Sequence, residues 1–337
     1  MHANFANWLV AIISMVALLG CDHVDDDREV VVYSSVDRVF AEPVLKEFET
    51  KSGIRVRAVF DTEESKSTGV LNRLIAEAAN PRADVFWSGD PMRPFQLIRR
   101  DLVAPYAASE ASDVAAFAAV ANHQWTPVAA RARVILLNTQ LVPDDAPNSI
   151  ADLANPKWKD RAAIANPLFG TTTMHVAALF ESWGDERAKQ FLNDLKANGV
   201  RIAASNGEVK RLVSAGEVAW GVTDTDDAND AVRSGAPVRV IFPDQDGVGA
   251  LVMPTSAVLL KGSPHPAEGQ RLLDYLASAP VETYLAAHGA HLPLRNDVAA
   301  PAALAVPKDL KVMTVNYQDL AATIERIQPW LRDWAGL

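Results

Sequence analysis

Five aspartates stand where chemistry is possible: Asp37, Asp90, Asp224, Asp226 and Asp227. In Asp224-Thr225-Asp226-Asp227, three carboxylates fall within four residues and repel one another unless a cation, a ligand or water relieves them. One reading is a solvated turn with a capping Asp; the other is an oxygen-only site for a hard cation or an ammonium group. A second set of residues favours the opposite charge. Ser34-Ser35, Ser67-Thr68, Thr171-Thr172 and Ser205-Asn206 place hydroxyls and amides where helices are predicted to begin. A helix start offers free N–H groups and about half a positive charge, enough to hold an anionic group. The plainer reading of each pair is an ordinary helix cap. The candidate ligand-binding residues are therefore Ser34, Ser35, Asp37, Ser88, Asp90, Thr171, Thr172, Asn206 and Asp224, with Asp226 and Asp227 as candidate metal ligands.

Catalytic signatures are missing. Asp224-x-Asp226 after a strand has the form of a phosphatase nucleophile loop, but Ala228 stands where that loop needs Thr or Val. Neither Asp224–Asp230 nor Asp244–Gly247 has the calcium-loop spacing. No G-x-S-x-G, H-E-x-x-H or phosphate-binding P-loop occurs. His123, His175, His265, His288 and His291 are scattered and read as packed or surface side chains.

The elements that must position these residues alternate. Val30–Tyr33 is a short apolar run suited to a buried parallel strand, followed by capping residues and then Phe40, Val44, Leu45 and Phe48 at helical spacing. A strand follows over 54–60, a helix from Ser67-Thr68-Gly69, and a strand over 83–87 that ends at Ser88-Gly89-Asp90-Pro91. This β-α-β-α-β order implies an open parallel sheet covered by helices. The style repeats with predicted strands over 131–137, 200–203 and 218–223 and a helix from Gly170 to about Trp183. In such sheets ligands bind beyond the carboxyl ends of the strands, where the candidates cluster. The chain is long enough for about two domains.

Composition narrows the class. Of the 337 residues 49% are hydrophobic, which excludes a disordered chain. Acidic residues number 42 against 32 basic ones, and no basic face is available for a nucleic acid. The single cysteine, Cys21, excludes an internal disulfide, a cysteine-based zinc site and an iron–sulfur cluster. Trp8 to Leu19 carries no charge; twelve helical residues span about 18 Å, short of the ~30 Å a membrane-spanning helix needs, and suit a signal peptide instead. Leu18-Leu19-Gly20-Cys21 then resembles a bacterial lipobox, although no Lys or Arg precedes the apolar run. The expectation is a signal peptide over 1–20, lipidation of Cys21 and a tether over 21–28. Two or three acyl chains hold a protein on a bilayer durably. Asp22 after the cysteine implies retention at the inner membrane.

The lipobox, the β-α-β start and the strings VVVYSSVD, FETKSGIRV, ADVFWSGD, NPLFGTTT and SNGEVKRLVSAGEVAWGVTDTDDA together resemble bacterial extracellular solute-binding proteins of the ferric-iron-binding type. These are the capture components of ABC importers, and the resemblance covers residues 29–300. It implies an α/β fold of two lobes, each an open, mostly parallel sheet flanked by helices, closing on a solute in the cleft between them. Lobe 1 is expected over 29–125 with 253–300, and lobe 2 over 126–252 with 301–337. It also implies a periplasmic, inner-membrane-tethered monomer with no catalysis and no resident cofactor, whose partners are the permease and ATPase subunits. The family's ferric ligands do not carry over: its tyrosine pair falls on Asp226-Asp227, its histidine on Asp37 and its glutamate on Gly89, beside Asp90. Its anion-binding loop matches Phe169-Gly170-Thr171-Thr172 and Asn206, with Asp224 in place of an asparagine. The first expected solute is a metal cation with a synergistic anion. The second is an organic cation or zwitterion that is aminoethylphosphonate-, thiamine- or polyamine-like. A secreted hydrolase on the same scaffold is the alternative from another class, and it would turn over generic phosphoesters.

Overall fold

The apolar runs become strands of one sheet in the computed structural model, which describes residues 28–61, 68–113 and 123–336. The signal segment, Cys21, the tether up to Asp27 and Ser67 lie outside the described residues. The first half supplies β1 (Glu29–Ser34), α1 (Arg38–Ser52), β2 (Arg55–Phe60), α2 (Thr68–Ala76), β3 (Val85–Ser88), α3 (Met92–Ile98), β4 (Val103–Ala104) and the long β5 (Thr126–Asn138). Then come β6 (Ala162–Ala165), α4 (Gly170–Trp183), α5 (Asp185–Ala197), β7 (Arg201–Ala203), α6 (Asn206–Ser214), β8 (Trp220–Asp224), α7 (Thr225–Arg233), β9 (Val238–Ile241) and β10 (Val252–Leu260). Helices α8 (Pro266–Leu276), α9 (Ala279–Gly289) and α10 (Tyr317–Ala335) finish the chain.

Strand order is β2-β1-β3-β10-β5-β8-β6-β7, with β4 also on β10 and β9 on β5. β1 runs parallel to β2 and β3, and β6 runs parallel to β7 and β8. Between these two parallel halves lie β10 and β5, antiparallel to each other and to their outer neighbours. Two lobes thus share two crossing strands. The four strands nearest the crossing explain themselves by composition. β3, β8 and β10 are buried along their whole length and β5 at all positions but Arg131, as apolar runs covered on both faces require. The edge strands β2, with Arg55 and Arg57, and β7, with Arg201, are partly exposed.

β5 is six residues longer than its sequence signal: it begins at Thr126, five residues before the predicted Arg131, and ends one residue past Leu137. A register shift between Thr255 and Ser256 interrupts its pairing with β10, a local irregularity of the kind that re-aims side chains beside a site. α10 crosses back from the second lobe. Tyr317 donates its hydroxyl to the Val252 carbonyl on β10, and its ring packs with Phe95 and Trp125 at 6.4 and 5.9 Å between centroids. No described helix is long and apolar enough to cross a membrane.

Candidate functional site

The carboxyl ends of β1, β3 and β8 converge on the cleft, as the open-sheet rule requires. Among the first-lobe candidates, Ser34 and Ser88 are fully buried and serve the loops. Ser34 Oγ accepts from the Val36 amide at 3.1 Å, and Ser88 Oγ accepts from the Asp90 amide at 3.4 Å. Ser35 Oγ accepts from the Gly89 amide at 3.2 Å, which pins the two strand ends together. A Cβ at Gly89 would meet the Ser35 carbonyl at 3.1 Å, so a larger residue there would have to push the Ser35 backbone back by a few tenths of an ångström. Asp90 caps α3, its Oδ1 accepting from the amides of Met92 and Arg93 at 2.8 and 3.2 Å. Ser35, Asp37 and Asp90 line a pocket of about 90 Å³ whose remaining wall includes Arg131, Asp226, Thr255 and His291. Phe40 and Asp226 also border an open cleft of about 480 Å³ that reaches Lys210, Asp227 and His288.

The second-lobe candidates form a separate, nearly closed network. Asp224 accepts from Arg133 Nη1 at 2.7 Å, from Thr171 Oγ1 at 3.0 and 2.8 Å, and from Asn206 Nδ2 at 3.1 Å. Thr172 Oγ1 accepts from Arg133 Nη2 at 3.2 Å. Arg133 is fully buried and Asp224 is 3% exposed.

Asp226 and Asp227 open α7, where carboxylates suit the positive end of a helix. They are not left to repel one another. Arg131 Nη1 donates to Asp226 Oδ2 at 3.1 Å while its Nη2 donates to the Gly89 carbonyl at 3.0 Å, so one side chain on a crossing strand ties the two lobes. Burial opposes charge on both partners, yet Arg131 holds Asp226 below the usual carboxylate range, and Asp226 and Asp224 drive the Arg131 guanidinium further up. Asp227 has Lys210 Nζ at 3.6 Å and accepts from Thr223 Oγ1 at 3.4 Å. Burial, followed by the charges of Asp226 and Asp224, pushes its carboxyl up to about 6. The carboxylate cluster expected to await a cation is therefore already matched by Arg133, Arg131 and Lys210. Among the described residues no group of three or more His, Cys, Asp and Glu is placed to hold a metal ion.

Four site residues escaped the sequence reading: Arg131, Arg133, Thr255 and His291. His291, read as a packed or surface side chain, faces the pocket. Reciprocal hydrogen bonds between Ala130 and Leu292, at 2.8 and 2.6 Å, dock its segment onto β5, and its ring meets Phe40 edge-on at 6.1 Å. Burial, reinforced by the charge of Arg131, lowers its pKa to about 4, so the ring is neutral at neutral pH. Of the buried side-chain polar atoms left without a partner among the described residues, three belong to residues lining this pocket: Asp226 Oδ1, Thr255 Oγ1 and His291 Nδ1. Buried polar atoms are normally satisfied, so unpartnered atoms on three lining residues make this pocket a candidate seat for a polar ligand. Arg131 uses two of its five N–H donors on protein, leaving cationic donors beside the same seat.

Known proteins agree with this architecture. A sequence profile described as bacterial extracellular solute-binding protein matches residues 80–323, well over half of the chain. A periplasmic protein of Salmonella typhi named for 2-aminoethylphosphonate binding is 28% identical over 293 residues, covering 85% of this chain and 80% of its own length. The major ferric iron-binding protein of Neisseria meningitidis serogroup B is 25% identical over 279 residues, covering 81% and 82%. The solved structure of a Bordetella ferric binding protein superposes with a TM-score of 0.79 at 26% identity, covering 91% of this chain and 99% of that one. By its sequence, its two lobes and the crossing strands between them, the chain belongs to the family of bacterial extracellular solute-binding proteins.

Proposed function

We propose that this chain is the capture component of an ABC importer and that its solute is a small zwitterion carrying an oxyanion and an ammonium group. The observation that carries this reading is the 90 Å³ pocket itself, lined by Arg131, which keeps donors to spare, and by Asp226, whose Oδ1 is buried without a partner. The oxyanion sits on Arg131, with Thr255 and His291 as neutral partners. The ammonium group sits against Asp226 Oδ1, with Asp37 in the pocket wall. The name of the Salmonella relative supports such a solute. A ferric-type cation held by Asp226 and Asp227 draws support from the names of the iron-binding relatives. Here, however, both carboxylates already have cationic partners, and the tyrosine pair of the resemblance is replaced by aspartates.

The chain performs no covalent chemistry in this reading. It works in the periplasm, anchored to the inner membrane through Cys21, and hands its solute to permease and ATPase subunits. Calorimetric titration tests the solute class. 2-Aminoethylphosphonate is expected to bind saturably, while inorganic phosphate and ethylamine, each offering one half of the zwitterion, bind at least tenfold more weakly. Saturable binding of ferric ion with no response to the zwitterion contradicts the reading.

A further inference from the structure

One carboxylate of the acidic turn asks nothing of a solute. The donors around Asp224 come from three separate elements: Arg133 from β5, Thr171 from the first turn of α4 and Asn206 from the first turn of α6. A fixed guanidinium, a hydroxyl and an amide converging at the starts of two helices make the donor set an oxyanion takes. The chain fills it with its own carboxylate. Arg133, fully buried, retains an unpartnered Nε, so even with Asp224 in place its donor capacity is not exhausted.

We propose that Asp224 is a built-in anion that plugs an oxyanion seat at Arg133, so that solute capture needs no co-bound inorganic anion. The filled seat stands on the distances above. One consequence rests on the zwitterion reading: Arg131 is left as the single seat for the oxyanion of the solute.

Unplugging the seat tests this without any solute. Asp224→Gly leaves room beside Arg133, and the full chain is dialysed to equilibrium against labelled inorganic phosphate at constant ionic strength. The variant is expected to bind one phosphate per chain more than wild type; phosphate at Arg131 is common to both proteins and cancels. Adding Thr171→Val removes a donor and is expected to weaken the extra binding roughly tenfold, as for one lost hydrogen bond to a charged group. Equal stoichiometry in wild type and a folded variant overturns the proposal. If circular dichroism shows Asp224→Gly unfolded in chloride, the milder Asp224→Ser takes its place. If both are unfolded, recovery of the native spectrum in phosphate supports the seat, and no recovery overturns it. A chain that fails to bind 2-aminoethylphosphonate leaves this result untouched, so the two readings fail separately.

Discussion

Arg133 lies directly across the antiparallel β5–β8 pair from Asp224, and its guanidinium meets that carboxylate at 2.7 Å. Two residues earlier on the same face of β5, Arg131 reaches Asp226. The spacing of two in the strand is thus matched by a spacing of two in the turn, and the pairs are sorted by function. The inner pair is sealed, whereas the outer pair borders the pocket and spans the cleft.

The sealed pair is expected to behave as one unit. Arg133→Met alone should cost about 3–5 kcal/mol in urea denaturation, since it strands a buried carboxylate. The double variant Arg133→Met/Asp224→Leu should regain most of that stability. Losses that simply add would contradict the pairing.

The outer pair is expected to matter for binding. Arg131→Met removes the oxyanion partner and the tie to the Gly89 carbonyl, and should weaken 2-aminoethylphosphonate by about 2–5 kcal/mol, on the order of 30- to 4,000-fold. Calorimetry reads the affinity directly. Wild-type affinity in Arg131→Met would remove Arg131 from the site.

How much of this was legible in the sequence depended on range. Asp90, Asp224, Asp226 and Asp227 stand out because turn and capping chemistry is local, and the strand ends that carry them follow from short apolar runs. The partners did not stand out, because Arg131 and Arg133 pair with residues 95 and 91 positions away. One signal was present: Arg-Ala-Arg inside an otherwise buried strand puts two cations on one face, and buried cations demand carboxylates. Thr255 and His291 carried no such mark, since only tertiary placement leaves their polar atoms unpartnered.

Asp227 gives solute binding a pH dependence. Its carboxyl keeps its proton up to about 6, and an ammonium group nearby favours the ionised form. Binding should therefore release protons near pH 6, and affinity should gain as the pH rises through that value. Calorimetry in two buffers of different ionisation enthalpy measures the release, which Asp227→Asn should reduce. Equal release in both proteins would contradict this role.

Glu282 sets a pH dependence of stability away from the pocket. It is fully buried, and its Oε2 accepts from the amides of Leu294 and Arg295 at 2.9 and 3.0 Å. Burial outweighs those bonds and pushes the carboxyl up to about 7. Between the unfolded value, about 4.3 for a glutamate, and about 7 the native state binds the extra proton, so this group's contribution to stability falls as pH rises through that window. Glu282→Gln keeps an acceptor for both amides and has no charge to bury. Wild type should match the variant at pH 5 and fall behind it at pH 8 in urea midpoints; parallel profiles would contradict the assignment.

Cys21→Ser should move the protein from the membrane fraction to the soluble periplasmic fraction, with the loss of acyl mass read by mass spectrometry. A variant that stays on the membrane at unchanged mass would show that another feature tethers the chain.

Native mass spectrometry of the protein purified from its own periplasm identifies the solute in the pocket without a choice of candidate. Wild type is expected to retain a small organic molecule that carries both an amine and an oxyanion, and that is lost from Arg131→Met prepared in the same way. Retained iron, held equally by wild type and Arg131→Met, would contradict the zwitterion reading.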